Sequence, residues 1–91
     1  MLQYAAHAVT RMAQRGTATV EVRQALTPAQ VLEEYPENRY GPSCLIFGST
    51  AAGRSLHVVC LYPQRQLLKI ITVYEPNPTE WGPGFTKRKK P

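Results

Sequence analysis

A histidine lies in the middle of a predicted strand rich in Leu and Val, within the stretch RSLHVVCLYP that covers residues 54–63. Side chains alternate between the two faces of a strand, so Ser55 and His57 share one face. Imidazole suits proton transfer because its pKa lies near neutrality. Arg54, at the start of the strand, offers forked donors to a phosphate. These residue types together predict a site that handles the phosphate of a nucleic acid.

The next predicted strand adds Thr72 and Tyr74 to this polar face. Pairing Tyr62 with Leu67 across the hairpin would place His57 opposite Thr72, and Ser55 opposite Tyr74. A slip of one residue would reverse the faces. The other face is uniformly apolar and should meet the core; its members are Leu56, Val58, Cys60, Ile71 and Val73. A lone strand histidine is also commonly a half-buried structural residue, and that interpretation stays open beside the functional one.

A second polar group lies on the predicted first helix. Apolar residues recur there at the i, i+3, i+4, i+7 spacing of an amphipathic helix: Ala5, Ala8, Val9 and Met12. Gly16 follows at the place of a left-handed C-cap. The opposite side carries His7, Arg11 and Arg15, at angles that put them in one quadrant. The sequence does not decide whether this basic side reaches the polar end of the sheet.

The order of elements predicts an α+β fold. A second short helix has Thr19 as its predicted N-cap, and an extended segment follows it as far as Tyr35. Three more strands are predicted over residues 44–49, 54–62 and 67–74, and their short connections are typical of antiparallel hairpins. We therefore expect two N-terminal helices packed on one face of an antiparallel sheet of about four strands.

The chain divides by composition into a domain and a tail. Residues 1–78 would form the single α+β domain, and residues 79–91 a Pro/Gly-rich basic C-terminal tail. Trp81 and Phe85 are expected to hold part of this tail on the domain. The hairpin over STAAGR would place Cys44 and Cys60 on opposite faces, which argues against a disulfide. Two cysteines without a paired motif predict no metal site, and no glycine-rich loop points to a cofactor.

The net charge of +5 favours a polyanion as partner, although the basic tail supplies much of the excess. No apolar stretch approaches the roughly 20 residues that cross a bilayer, and the first residues lack the features of a signal peptide. We therefore expect a cytoplasmic protein that does not bind membranes.

Several motifs in order resemble a known family. They are His7-xxx-Arg11-Met12-xx-Arg15-Gly16, then EYPENRYGPSCLIFG, RSLHVV and IITVYEPNPTEW. This succession, over about residues 7–81, resembles small bacterial proteins that carry a domain of unknown function and are often encoded beside a zinc-finger antitoxin. That family is distantly similar to BrnT-like and RelE-like toxins, which are endoribonucleases with two helices on a curved antiparallel sheet.

The resemblance implies a metal-independent endoribonuclease that acts through the ribose 2′-hydroxyl, as the toxin of a type II toxin–antitoxin pair. The catalytic candidates are His57, His7, Tyr74 and Thr72, and the candidates for binding RNA phosphate are Arg11, Arg15, Arg54 and Ser55. The expected partners are RNA, a cognate antitoxin such as one of the zinc-finger type, and a second copy of the chain. The alternative is a module that binds nucleic acid or protein through the same basic face without catalysis.

Overall fold

Within the described residues, a five-stranded mixed sheet carries two α-helices on one face. The computed structural model describes residues 2–27, 30–37, 39, 41–64 and 67–88. The elements in chain order are β1 (Leu2–Tyr4), α1 (Ala6–Gln14), α2 (Thr19–Ala25), β2 (Gln30–Tyr35), β3 (Ser43–Ser49), β4 (Ser55–Gln64), β5 (Leu67–Tyr74) and a 3₁₀ turn (Pro83–Phe85). The strand order across the sheet is β1-β5-β4-β3-β2. The predicted α+β class with two N-terminal helices is confirmed.

The prediction of an entirely antiparallel sheet of about four strands is wrong at the N-terminus. There β1 runs parallel to β5, with Leu2 opposite Leu68 and Tyr4 opposite Ile70. The remaining strand pairs are antiparallel, as expected. Three residues are too short to show the alternation that identifies a strand, so β1 left no signal in the sequence.

The core lies between the helices and the sheet. The helices contribute Met12, Val22 and Ala25, and the sheet contributes Cys44, Ile46, Leu56, Val58, Cys60, Ile70 and Val73. The apolar face predicted for β4 is thus confirmed. The prediction for Ile71 is wrong, because the register of β4 against β5 shifts between Val59 and Cys60 and Ile70 enters the core instead. A bulge of this kind adds one residue to one strand and changes which side chains point inward.

The β4–β5 register differs by two residues from the prediction. Gln64, rather than Tyr62, pairs with Leu67, and the connecting residues 65 and 66 lie outside the described ones. His57 therefore lies opposite Tyr74, and Thr72 lies opposite Val59. A shift by an even number preserves the face of each side chain, so His57 and Tyr74 still share the face away from the helices.

The two helices begin and end close to the predicted places. Gly16 follows α1 with φ of +66°, in the left-handed region where glycine carries no steric penalty. The N-cap of α2 is Ala18 rather than Thr19, and its N–H donates to the Glu21 carboxylate at 2.9 Å. No helix in the described part of the chain is long and apolar enough to cross a membrane.

The cysteine prediction is wrong in its geometry. Cys44 and Cys60 are directly opposed on β3 and β4, and both side chains belong to the core on the helix face. Their sulfurs lie 3.6 Å apart as free thiols. The β3–β4 register that pairs Ser49 with Ser55 also pairs Cys44 with Cys60. A register shifted by one residue would have put the two cysteine side chains on opposite faces of the sheet.

Candidate functional site

His57 lies on the sheet face away from the helices, yet it is fully buried. A C-terminal segment, residues 76–88, covers it. The Trp81 ring meets the imidazole edge to face, with 4.4 Å between ring centroids. The cross-strand neighbours Phe47 and Tyr74 flank the imidazole at centroid distances of 6.0 and 5.4 Å. The predicted face is therefore right, but the side chain does not meet solvent.

The hydrogen bonds of His57 determine which ring nitrogen carries the proton. Nε2 lies 2.8 Å from the Phe85 carbonyl oxygen, which can only accept, so Nε2 is the donor. Burial lowers the pKa of His57, and the ring is neutral at pH 7. Its Nδ1 lone pair then faces the Tyr74 hydroxyl across 3.4 Å. The arrangement is a neutral imidazole whose Nδ1 can accept a hydrogen bond from the Tyr74 hydroxyl.

The C-terminal segment is held by contacts around Trp81. Trp81 and Arg88 form a short antiparallel bridge, and the Arg88 guanidinium lies 4.6 Å from the Trp81 ring centroid. Arg88 also donates to both oxygens of the Glu33 carboxylate on β2, at 2.7 and 3.1 Å. These donors lower the pKa of Glu33. The segment thus closes over His57 through a forked ion pair that reaches the edge strand of the sheet.

Arg15 brings the basic side of α1 to the polar end of the sheet. Its Nη1 donates to the Val73 carbonyl at 2.6 Å and contacts the Thr72 hydroxyl oxygen at 3.5 Å. Val73 directly precedes Tyr74, whose ring packs against His57. The structure therefore resolves what the sequence left open, because the end of α1 lies beside the predicted catalytic residues.

Arg54 also reaches this end of the sheet, but its donors are engaged by the protein. Nε donates to the Glu75 carboxylate at 2.5 Å, and Nη1 donates to Glu21 at 3.2 Å. Further bonds go to the carbonyl oxygens of Gly16 and Arg15, each at 3.2 Å. Arg54 therefore ties the end of α1 to α2 and to the end of β5. A phosphate at this site would have to compete with two carboxylates.

An open cavity of about 370 Å³ is lined by Arg15, Arg54, Tyr74 and Glu75. It lies at the end of β5 where the predicted residues gather. Ser55 is half-buried and pairs with Ser49 of β3, whereas His57 occupies the predicted place of Ser55 opposite Tyr74. Of the predicted residues, two arginines and a tyrosine line this cavity, whereas His57 is not part of its lining and contacts only that tyrosine among them.

His7 belongs to a different cavity. It is exposed near the start of α1 and lines a concavity of about 580 Å³ together with Ala5, Ser43, Val59, Leu61, Lys69 and Ile71. Eight residues of helix separate His7 from Arg15, roughly 12 Å along the axis. Arg11 is exposed between them. The two histidines therefore do not share a cavity.

Sequence reasoning missed the parts of the site that come from distant segments. Glu33 and Arg88 are 55 residues apart in the chain, and neither lies in a motif. The sequence identified Phe47 only as an apolar residue of a predicted strand. The sequence did predict that Trp81 holds part of the tail on the domain, and its side chain is buried, but no pattern indicated that the indole lies against His57.

Comparison with known proteins places these residues in a family. The model of a domain of unknown function, DUF4258, matches residues 4–75, well over half of the chain. The chain belongs to the DUF4258 family. No curated protein and no solved structure matches it. The DUF4258 match includes Arg15, His57 and Tyr74, and it ends before the C-terminal segment that covers the imidazole.

Proposed function

We propose that this DUF4258 protein is the toxin of a type II toxin–antitoxin pair and acts as a metal-independent endoribonuclease. The observation that carries the proposal is the bond from Arg15 to the Val73 carbonyl, which holds a cation beside Tyr74 and the neutral imidazole of His57. A cation, a hydroxyl and a base are the groups that cleavage through a ribose 2′-hydroxyl requires. The motif resemblance to BrnT-like and RelE-like toxins supports the same assignment of fold and activity.

RNA would be held by the basic side of α1. Arg11 and Arg15 are both exposed and lie one helical turn apart, so they can contact successive parts of one strand. Arg15 reaches the 370 Å³ cavity, where a phosphate would meet its guanidinium. Thr72 orients Arg15 through its hydroxyl oxygen. His7, at the far end of the same helix, is assigned to a flanking part of the RNA.

Cleavage would proceed through a proton relay. The Tyr74 hydroxyl takes the proton of the ribose 2′-hydroxyl while it passes its own proton to Nδ1 of His57. The 2′-oxygen then forms a bond to phosphorus and the bond to the 5′-oxygen breaks. The imidazolium returns its proton through Tyr74 to the leaving 5′-oxygen. Arg15 stabilises the charge on the phosphorane, and the products are a 2′,3′-cyclic phosphate and a 5′-hydroxyl.

A non-catalytic binding module is the second candidate function. One observation favours it: both ring nitrogens of the fully buried His57 already have partners in the protein. In that case the imidazole only packs, and the basic side of α1 binds nucleic acid or an acidic protein. Both candidate functions use Arg15 and the same basic side of α1. They differ in whether bound RNA is cleaved.

The test is incubation of the purified protein with labelled RNA in excess EDTA. Cleavage that leaves 2′,3′-cyclic phosphate ends, and that stops at 2′-deoxy positions, is the expected result. Tyr74→Phe should lower the rate at least about tenfold while RNA binding persists. Retention of RNA without cleavage would establish the binding module instead.

A matched pair of variants tests the role of Arg15. Arg15→Ala should weaken RNA binding and lower its dependence on salt, because one phosphate contact is lost. Arg23→Ala removes the same charge from the exposed side of α2 and serves as the control. Equal binding by the two variants would remove Arg15 from the proposed site.

The proposal includes a cognate antitoxin, such as one of the zinc-finger type, that masks the basic surface in the cell. Induction of the chain alone in bacteria should then arrest growth, and coexpression of the antitoxin should restore it. Normal growth on induction of the wild-type chain would contradict a toxin.

A further inference from the structure

The concavity of about 580 Å³ lies on the sheet face away from the helices, next to the start of α1, and its floor is aliphatic. Val59 and Leu61 alternate with core residues along β4, so they point away from the helices. Ile71 lies at the bulge of β5, which turns its side chain out of the core and into the same floor. The face opposite the core thus carries three half-buried aliphatic side chains in one depression.

The polar groups of this concavity are basic or neutral. Lys69 lies opposite Leu61 across the strands, His7 belongs to the start of α1, and Ser43 belongs to β3. No carboxylate occurs among the lining residues that the structure describes. The methylene stem of a lysine can lie along apolar surface while its ammonium stays at the rim. The concavity therefore fits a ligand that combines apolar side chains with negative charge.

The lining favours a protein segment over RNA at this place. None of the described lining residues is aromatic or an arginine, whereas unpaired bases bind by stacking on such side chains. A second copy of the chain is also disfavoured. Each copy carries a net charge of +5, and a two-fold interface centred here would bring two Lys69 side chains together. An acidic segment with aliphatic side chains matches both the floor and the charge.

The concavity adjoins the surface that a cognate antitoxin has to mask. His7 lines the concavity and lies on the same helix as Arg15, roughly 12 Å away along the axis. A segment anchored on Val59 and Ile71 would continue along the basic side of α1. Partner and substrate would then be held at opposite ends of one helix.

We infer that this concavity is the docking site for an acidic, aliphatic segment of the cognate antitoxin. Aliphatic side chains of the partner would fill the floor formed by Val59, Leu61 and Ile71, and a carboxylate would pair with Lys69. The inference rests on the proposed function, because the antitoxin is the partner which that function names. Docking here leaves the C-terminal segment in place over His57.

The test uses a short labelled peptide that alternates Leu and Glu, with binding followed by fluorescence anisotropy. One control peptide alternates Leu and Lys, and another alternates Ser and Glu. The Leu/Glu peptide should bind most tightly and should shift the NMR methyl resonances of Val59, Leu61 and Ile71. The methyl resonances of Val20 and Val31, which are 56% and 53% exposed outside the concavity, should not move.

Two matched pairs of variants test the floor and the charge. Lys69→Glu should weaken peptide binding about fivefold or more, because attraction to a carboxylate becomes repulsion. Its control is Arg23→Glu, which reverses a charge on the exposed side of α2. Val59→Thr should weaken binding about threefold or more, because a hydroxyl replaces one methyl group of the floor. Its control is Val31→Thr, the same change in a strand outside the concavity.

Equal affinities within each pair would overturn the docking site, and RNA cleavage by the parent protein would still support the proposed function. A short 2′-O-methyl RNA, which cannot be cleaved through its 2′-oxygen, should leave the methyl resonances of the floor unchanged. Shifts produced by that RNA and not by the peptide would make RNA the occupant and overturn the inference. Shifts that follow protein concentration alone would overturn it in favour of a second copy. Peptide binding here, by a protein that neither binds nor cleaves RNA, would support the acidic occupant and overturn the proposed function.

Discussion

The imidazole Nε2 of His57 donates a hydrogen bond to the Phe85 carbonyl at 2.8 Å, which ties the centre of the sheet to the C-terminal segment. A carbonyl cannot donate, so the bond requires a proton on Nε2. The opposite nitrogen faces the Tyr74 hydroxyl. Burial lowers the pKa of His57 and so favours the neutral ring, whose Nδ1 can accept a hydrogen bond from the Tyr74 hydroxyl.

Acidification should therefore destabilise the protein. Burial lowers the pKa of His57 in the folded state, whereas in the unfolded chain it is about 6.5. Below pH 6.5 the unfolded chain takes up a proton that the folded one does not, so the free energy of unfolding falls until the folded pKa is reached. Each unit between the two pKa values amounts to about 1.4 kcal/mol. Urea unfolding at pH 7.5 and 5.5, followed by Trp81 emission, measures the difference.

The neighbours of His57 define the controls for this experiment. Arg88 opposes its protonation and Glu33 favours it, and Tyr74 stays neutral because burial raises its pKa. The lowered pKa of Glu33 places its own titration below 4.5, outside the chosen range. His57→Gln should remove most of the pH effect, whereas the exposed His7→Gln should retain it. A pH effect that persists in His57→Gln would assign the titration to another group.

Gly48 should not tolerate alanine. A Cβ built there would lie 1.7 Å from the Ala25 carbonyl oxygen, so α2 would have to move away from β3. We expect Gly48→Ala to lower the free energy of unfolding by at least about 3 kcal/mol. Gly82→Ala is the control, since its nearest new contact is an ordinary 3.6 Å to the Lys87 carbonyl oxygen. Thermal or urea unfolding that finds the two variants equally stable would contradict the close approach.

Cys44 and Cys60 should be unreactive in the folded protein. Burial raises the pKa of both thiols, and that of Cys60 reaches about 12, so the reactive thiolate is scarce at neutral pH. Labelling with a thiol reagent should follow the rate of unfolding, and both cysteines should react at once in denaturant. Rapid labelling of the native protein would show that the β3–β4 pair opens locally.

Arg54 should act as a structural residue in stability measurements. Its guanidinium joins Glu21, Glu75 and two main-chain carbonyls near the end of α1. Hydrogen bonds to charged groups are worth more than neutral ones, but these are partly exposed, so Arg54→Ala should cost about 1–3 kcal/mol in total. Arg11→Ala, which removes an exposed arginine from α1, is the control. Equal urea midpoints for both variants would mean that the Arg54 contacts contribute nothing.

The sequence by itself determined the local features of this protein. The helical period over α1, Gly16 at its end and the alternation along β4 depend on neighbouring residues, so the two helices and the face of His57 could be predicted. The polar residues of β4 and β5 could also be assigned to one face, because an even shift in register leaves the faces unchanged. The α+β class followed from the order of these elements.

Only the tertiary structure decided how distant segments meet. Three features depend on packing across the whole sheet: the bulge that buries Ile70 in place of Ile71, the direct opposition of the two cysteines, and the parallel pairing of β1 with β5. So does the burial of His57 beneath Trp81, which is 24 residues further along the chain (81 − 57). A side chain's face follows from local backbone geometry, whereas its exposure depends on which remote segment covers it. The fold therefore turns a polar strand position into a buried imidazole beneath the C-terminal segment.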